Sequence, residues 1–163
     1  MKVQIKTMVY SSLMAALIAV ATLFIHIPIP MQGGYCNLGD AFILASGCLI
    51  GYWAAPAAAI GSAMADLLLG YAVYAPATAL IKGVMGLIAG GLCLRQKNIG
   101  KRILFMILAE IIMIGGYFLF ETILYGAAYA AGSLMGNGSQ GVMGVLIACI
   151  LWPILERVKK LIH

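Results

Sequence analysis

The sequence predicts an all-α polytopic membrane protein: a bundle of six transmembrane helices in a single domain over residues 1–163. Three observations carry that expectation. Hydrophobic residues make up 64% of the chain and charged residues 9%, whereas soluble domains average about 25% charged. The mean hydropathy is +1.06, and so short a chain has too much surface for its volume to hide that apolar area from water. Finally, apolar blocks approaching the ~20 residues that span a bilayer recur along the chain, divided by Pro, Gly and basic residues.

The first helix is expected over about 7–27, stopped by Pro28 and Pro30, with a polar, Gly-containing loop over 31–37. Lys2, Lys6 and the small-x-small site at Ala19-Val20-Ala21 resemble a signal peptide, but the apolar run continues through Leu23, Phe24 and Ile25, which marks a span. The second helix is expected over 38–51, with Asn37 as N-cap and Asp40 three residues on. Pro56 suits the first turn of a third helix over 55–69, and Pro76 opens a fourth over 76–94. A fifth is expected over 103–125 and a sixth over 139–155, with the Gly/Ala-rich stretch 126–138 unassigned. The second and third spans are short, and one bent element over 41–70 would reduce the count to five.

Charge favours six. Lys2 and Lys6, then Arg95, Lys97, Lys101 and Arg102, then Arg157, Lys159 and Lys160 flank apolar blocks, which accounts for nine of the ten Lys/Arg. Six spans put all nine on one side, the cytoplasmic one, with both termini. The +5 net charge is therefore a topology signal with anionic-lipid contacts, not a nucleic-acid footprint. Cys36, Cys48, Cys93 and Cys149 are scattered without metal-ligand spacing.

Small residues at four-residue spacing permit close helix contact. Ser11, Ala15 and Ala19 form such a stripe on the first helix, with Ser12 and Ala16 beside it, and suit a partner or internal packing equally. Gly86 and Gly90 on the fourth suit packing within the chain.

Charges inside spans are costly, about 2.5–3.5 kcal/mol each at mid-helix, and are functional by default. With six spans, Asp40, Asp66, Lys82 and Glu121 fall on four helices near one depth, below the outer surface. That coincidence predicts a polar pocket opening outward, with Asp66 or Glu121 as counter-ion to Lys82; the alternative is an ion pair that only ties helices together. Asp40 serves equally as a helix-capping residue. Glu110, deeper and alone, is left outside the pocket. Tyr35, Tyr71, Tyr74, Tyr117 and Tyr125 gather at the outer level, as an interfacial belt or as a stacking wall for a flat ring. Asn37 is a further candidate contact; Gln32, Asn137 and Gln140 can supply neutral hydrogen bonds from outer loops, surface solvation being the commoner role of each alone, and His26 suits an interfacial place.

The runs Tyr35-Cys36-Asn37-Leu38-Gly39-Asp40, Gly61-Ser62-Ala63-Met64-Ala65-Asp66-Leu67-Leu68-Leu69-Gly70-Tyr71, Ala75-Pro76-Ala77-Thr78 and Ile81-Lys82-Gly83 resemble the substrate-binding S component of energy-coupling factor (ECF) vitamin transporters. The nearest resemblance is to the riboflavin-type branch with its pyridoxine- and hydroxymethylpyrimidine-type carriers, over nearly the whole chain. It implies six helices in a prokaryotic cell membrane and a vitamin pocket near the outer surface. It also implies assembly with a transmembrane coupling subunit and two cytoplasmic ATPases, with transport by toppling of the loaded subunit. Ala15 and Ala19 then match the stripe that meets the coupling subunit. ATP is used by the partners alone, in keeping with the absence of a Gly-x-x-x-x-Gly-Lys-[Ser/Thr] loop; the chain is not expected to be an enzyme or to hold a cofactor. One Lys among carboxylates suits a small polar heteroaromatic ring, such as a vitamin B6 form or hydroxymethylpyrimidine. The competing reading is a stand-alone carrier or channel with an Asp66–Lys82–Glu121 relay.

Overall fold

The structure is a computed structural model that describes residues 5–28 and 35–162. Lys2, Gln32 and His163 lie outside the described residues, as does the side chain of Tyr35.

The first helix, α1, is Ile5–Phe24. At 20 residues and 1.5 Å per residue it is about 30 Å long, the thickness of a hydrocarbon core. It stops before the predicted Ile27 because His26–Pro28 (β1) pairs antiparallel with Tyr35–Asn37 (β2), His26 opposite Asn37. Pro28 has no N–H to extend the helix. Part of the expected loop is thus a two-stranded ribbon at one end of the bundle.

The chain then forms α2 (Gly39–Ile50), one 3-10 turn (Gly51–Trp53) and α3 (Ala54–Leu69). The expected cap is made by Asn37, whose Oδ1 accepts from Gly39 N, the first N–H of α2, at 2.8 Å. Leu38 between them makes no side-chain cap bond, and Asp40 is engaged elsewhere.

Next come α4 (Ala75–Cys93), α5 (Ile99–Tyr125) and α6 (Ala127–Ile162). Pro76 sits in the first turn of α4, where its missing N–H costs nothing. Asn98 caps α5, accepting from Lys101 N at 3.0 Å. The sixth helix is 36 residues long, not the expected 139–155. The Gly/Ala-rich stretch 126–138 is helical beyond Gly126, whose φ of +90° makes the break. Alanine is the best helix former, and small side chains let α6 approach its neighbours closely.

Among the described residues, five segments are long and apolar enough to cross a membrane: Ile5–Phe24, Gly39–Leu69, Ala75–Cys93, Ile99–Tyr125 and Ala127–Lys160. The six separate spans expected are therefore corrected to five long elements, because α2 has only 12 residues, about 18 Å, and runs into α3 through a single turn. That 31-residue element is folded back on itself. Gly47 of α2 lies against Ala89 and Gly51 against Leu94, so α2 runs parallel to α4. Gly86 packs on Ala54 and Gly83 on Ala59, so α3 runs antiparallel to it. Gly51, at φ +61°, makes the reversal, a conformation open to glycine. A Cβ on Gly90 would stand 2.1 Å from Gly51 O, so the four-residue glycine stripe of α4 serves packing within the chain.

The core is small and soft: Ile18, Ile43, Leu44, Cys48, Met85, Met106 and Met113 are fully buried. Large apolar side chains point outward, with Ile123 and Ile150 each 74% exposed. That surface fits hydrocarbon and not water. The two ends of the bundle differ. At one, Lys159 Nζ donates to Leu94 O, Arg102 to Gln96 O, and Ser11 to Trp53 O at 3.0 Å. This basic end carries the starts of α1 and α5 and the end of α6. At the other lie the ribbon, the starts of α2, α4 and α6, and the end of α5.

Candidate functional site

At the end away from the basic residues, one chain of polar contacts joins β2, α2, α4, α5 and α6. Asp40, fully buried in the first turn of α2, forms an ion pair with Lys82 of α4, which is 3% exposed. Its second oxygen accepts from Gln140 Nε2 of α6 at 2.6 Å. Gln140 Oε1 in turn accepts from Asn37 N at 2.9 Å and Asn37 Nδ2 at 3.1 Å. Thr22 of α1 donates to Asn37 Oδ1 at 3.4 Å. On the far side, the Lys82 ammonium lies 5.5 Å from the centre of the Tyr117 ring of α5, within cation–π range. The Tyr117 hydroxyl and Thr78 Oγ1 are 2.9 Å apart.

This corrects the expected charge pairing. Among the described residues, the counter-ion of Lys82 is Asp40, not Asp66 or Glu121. Position explains it. Asp40 opens α2, and Lys82 lies two turns into α4, which runs parallel beside it. Gln140 is 2% exposed, so it is a buried partner of a carboxylate and not a solvated surface residue.

Glu110 also belongs here, although it reads from sequence as solitary. It is 3% exposed and within electrostatic reach of Asp40 and Lys82. A Cβ on Gly144 would stand 2.6 Å from Glu110 Oε1 and 3.2 Å from Asp40 Cβ. Gly141 and Gly144 thus form a notch on α6 that houses the second carboxyl beside the first. Neither Glu110 oxygen has a hydrogen-bond partner among the described residues.

Glu121 forms a second centre, towards the end of α5. It accepts from Ser133 of α6 and, at 3.4 Å, from the Tyr74 hydroxyl. Asn137 Nδ2 donates to Ser133 Oγ at 3.4 Å. Tyr74 packs edge-on against Tyr71 and Phe120, with ring centres 6.3 and 5.4 Å away, and Tyr125 lies beside Tyr129. Asp66 is buried near the end of α3, where its carbonyl accepts from Tyr71 N at 2.8 Å, and its charge is felt at Tyr117.

Tyr117 therefore sits between the two centres, reached by the charges of Asp40, Asp66 and Glu121. Sequence reasoning missed Ser133, Thr78 and the burial of Gln140 against Asp40. The signal lay in Ser133, Asn137, Gln140 and Gly144, whose spacing puts them on one face of a continuous helix. Chemically, an ammonium offers three donors. Lys82 uses one of them on Asp40 among the described residues. The others can meet acceptor atoms of a polar molecule, and Tyr117 offers that molecule a flat apolar face.

The small stripe of α1 is divided. Ser11 is buried, and a Cβ on Gly61 of α3 would stand 2.5 Å from Ala15 O, so these positions face α3. Ala19 is half-buried, while Ser12 and Ala16 are exposed. Ser11, Ser12, Ala15, Pro56, Ala57 and Ile60 line a shallow groove of ≈ 220 Å³ between α1 and α3.

Comparison with known proteins agrees with this architecture. The sequence profile described as "ECF-type riboflavin transporter, S component" matches residues 2–157. A protein of Pyrococcus woesei, known as "Uncharacterized protein in gap 3'region", is 35% identical over 141 residues, 86% of this chain and 95% of its own. The thiamine precursor transporter HmpT of Lactococcus lactis subsp. cremoris (strain MG1363) is 30% identical over 157 residues, 94% of this chain and 89% of its own. The family is one of transporter subunits and not of enzymes, and its members are helical membrane proteins that bind a vitamin-type substrate. Matched along nearly its whole length, this apolar helical bundle belongs to the ECF-type riboflavin transporter S component family.

Proposed function

We propose that this chain captures a small polar heteroaromatic vitamin precursor outside the cell and delivers it inward with a coupling subunit and two ATPase subunits. The observation that carries this reading is the buried Lys82–Asp40–Gln140–Asn37 network beside Tyr117. It concentrates a hydrogen-bonding cation, carboxylates and an aromatic ring towards one end of the bundle. The basic residues cluster at the other end, and the positive-inside rule assigns that end to the cytoplasm, together with both termini. The ligand end then faces outward, in a prokaryotic cytoplasmic membrane.

Hydroxymethylpyrimidine is the favoured ligand and a vitamin B6 form the second. Similarity to a thiamine precursor transporter supports the first. A ring with acceptor nitrogens and a hydroxymethyl arm suits a lysine donor and a carboxylate acceptor. Asp66, Tyr71, Tyr74, Glu121 and Asn137 complete the candidate pocket, and Tyr35 is a further candidate contact. Ala19 and the exposed Ser12 and Ala16, beside the groove that Ala15 lines, form the face offered to the coupling subunit, and ATP is used by the partners alone.

The test is calorimetry of the purified protein with hydroxymethylpyrimidine, pyridoxine, thiamine and riboflavin. Tight binding of one of the first two supports the reading; tight binding of riboflavin alone overturns the ligand assignment. The buried carboxyl of Glu110, close to the charges of Asp40 and Lys82, supports a proton-linked stand-alone carrier as the second reading. Uptake in cells lacking the ATPase subunits would favour that alternative.

A further inference from the structure

At the basic end, remote from the Lys82 network, a cavity of ≈ 720 Å³ opens between the loop after α4, the first turn of α5 and the last turns of α6. Its charged lining is Arg95, Lys97, Arg102, Lys159 and Lys160, against Glu156 alone. Arg102 is 5% exposed. Its guanidinium lies over the Trp152 ring, 3.3 Å from the centre, and it donates to Gln96 O. Its Nε is buried and has no partner among the described residues. Lys159 donates to Leu94 O, at the end of α4. Two of the five cations are thus positioned by backbone carbonyls, which orient them without neutralising them.

We infer that this cavity binds the phosphate headgroup of an anionic phospholipid. Excess positive charge around one concave space selects a multiply bonded anion, and a guanidinium held flat on an aromatic ring presents its fork to phosphate oxygens. The location selects the lipid over free phosphate. The cavity sits at the ends of three spans, at headgroup level. The same Arg102–Trp152 pair closes on Ile99, Ile103, Met106 and Cys149 with only ≈ 10 Å³ between them, so the apolar surface available to a lipid is the outer one. An acyl chain can lie along the exposed apolar surface beside the cavity; an inorganic ion gains nothing from it. Ile99 and Ile154 alongside are 58% and 59% exposed, a surface already suited to lipid.

The test is native mass spectrometry of the full chain released from detergent with phosphatidylglycerol, phosphatidylcholine or inorganic phosphate. Phosphatidylglycerol is expected to stay bound at energies that strip phosphatidylcholine. The Arg95→Gln/Lys97→Gln/Lys160→Gln variant alters only exposed side chains and so keeps the fold. It is expected to lose roughly a hundredfold in phosphatidylglycerol affinity, about fivefold per charge. Arg102→Lys keeps the charge but loses the fork, and is expected to weaken the lipid while the triple variant's fold serves as control. Equal retention of the two lipids, or an unchanged triple variant, overturns the proposal. Displacement of phosphatidylglycerol by inorganic phosphate assigns the cavity to a free anion and overturns the lipid assignment. A triple variant that keeps the lipid but loses its ATPase partners makes the patch a protein contact, which also overturns it.

Discussion

Gln140 and Asp40 stand a hundred positions apart in the sequence and meet through a 2.6 Å hydrogen bond in the buried heart of the bundle. That bond ties the start of α2 to the middle of α6 and leaves the other Asp40 oxygen to Lys82. Replacing Gln140 with Leu strands one Asp40 oxygen and two Asn37 donors. A buried group left unpaired costs about 1–3 kcal/mol, so Gln140→Leu is expected to lower the Tm of the purified protein and to weaken its ligand. Gln140→Glu, with a third carboxylate beside Asp40 and Glu110, is expected to do worse in the same melting assay.

Lys82→Ala leaves Asp40 as an uncompensated buried charge, which costs about 3–5 kcal/mol. Ligand binding and stability are therefore lost together, and the single variant does not separate them. Lys82→Met/Asp40→Leu removes both charges and restores apolar packing. Most of the stability is expected to return in a thermal melt while ligand binding stays absent by calorimetry. Recovery of binding in the double variant would make the pair a structural tie and nothing more.

The notch at Gly144 gives a prediction that depends on Glu110. A Cβ there would stand 2.6 Å from Glu110 Oε1, so Gly144→Ala must push the carboxyl aside, at a cost of about 1–3 kcal/mol. In Glu110→Ala the obstructing carboxyl is gone, and the Gly144→Ala penalty is expected to fall below about 1 kcal/mol in a double-mutant cycle. Equal penalties in the two backgrounds would show that Glu110 does not occupy the notch.

The face of α1 is tested by filling the shallow groove between α1 and α3. Ser12→Trp, on the exposed side of the groove, is expected to leave ligand binding intact and to abolish uptake with the partner subunits. Ala15→Trp is expected to disturb the fold as well, because the Ala15 carbonyl packs against Gly61. Normal uptake by the Ser12 variant counts against this face as the partner contact.

Cys36, in the ribbon outside the helices, is a reporter of occupancy. Burial raises its thiol above the ordinary value, with the Asp40 charge acting in the same direction and Ser139 and Lys82 opposing. Less thiolate is then present at neutral pH than for a free cysteine, so alkylation is expected to be slow there and to accelerate at pH values above the usual thiol range. Bound ligand is expected to slow it further. A rate equal to that of a free thiol at every pH contradicts the described environment.

The fold class and the side of the basic residues are legible because they rest on composition and on charges that solvent forces to the ends. Lys82 is legible because an ammonium inside an apolar block has no bland explanation. Its counter-ion is harder to read. Asp40 looks like a cap from its place at a helix start, and only the parallel run of α2 beside α4 brings it to Lys82. Gln140 was hidden by the boundary of α6. Started at 139, the helix gives Gln140 no polar neighbours on its face; started at 127, it joins a stripe with Ser133 and Asn137. Glu110 looked solitary because its partner residues lie on α2 and α4, far away in sequence, and the room for it is made by glycines, which carry no chemical signal of their own.

Mass spectrometry of the small molecules that co-purify with the wild-type protein and with Lys82→Met/Asp40→Leu tests the central claim most directly. The expected result is a small heteroaromatic vitamin precursor carried by the wild type and missing from an equally monodisperse variant. The same molecule retained in full by the variant would contradict a binding site built on Lys82.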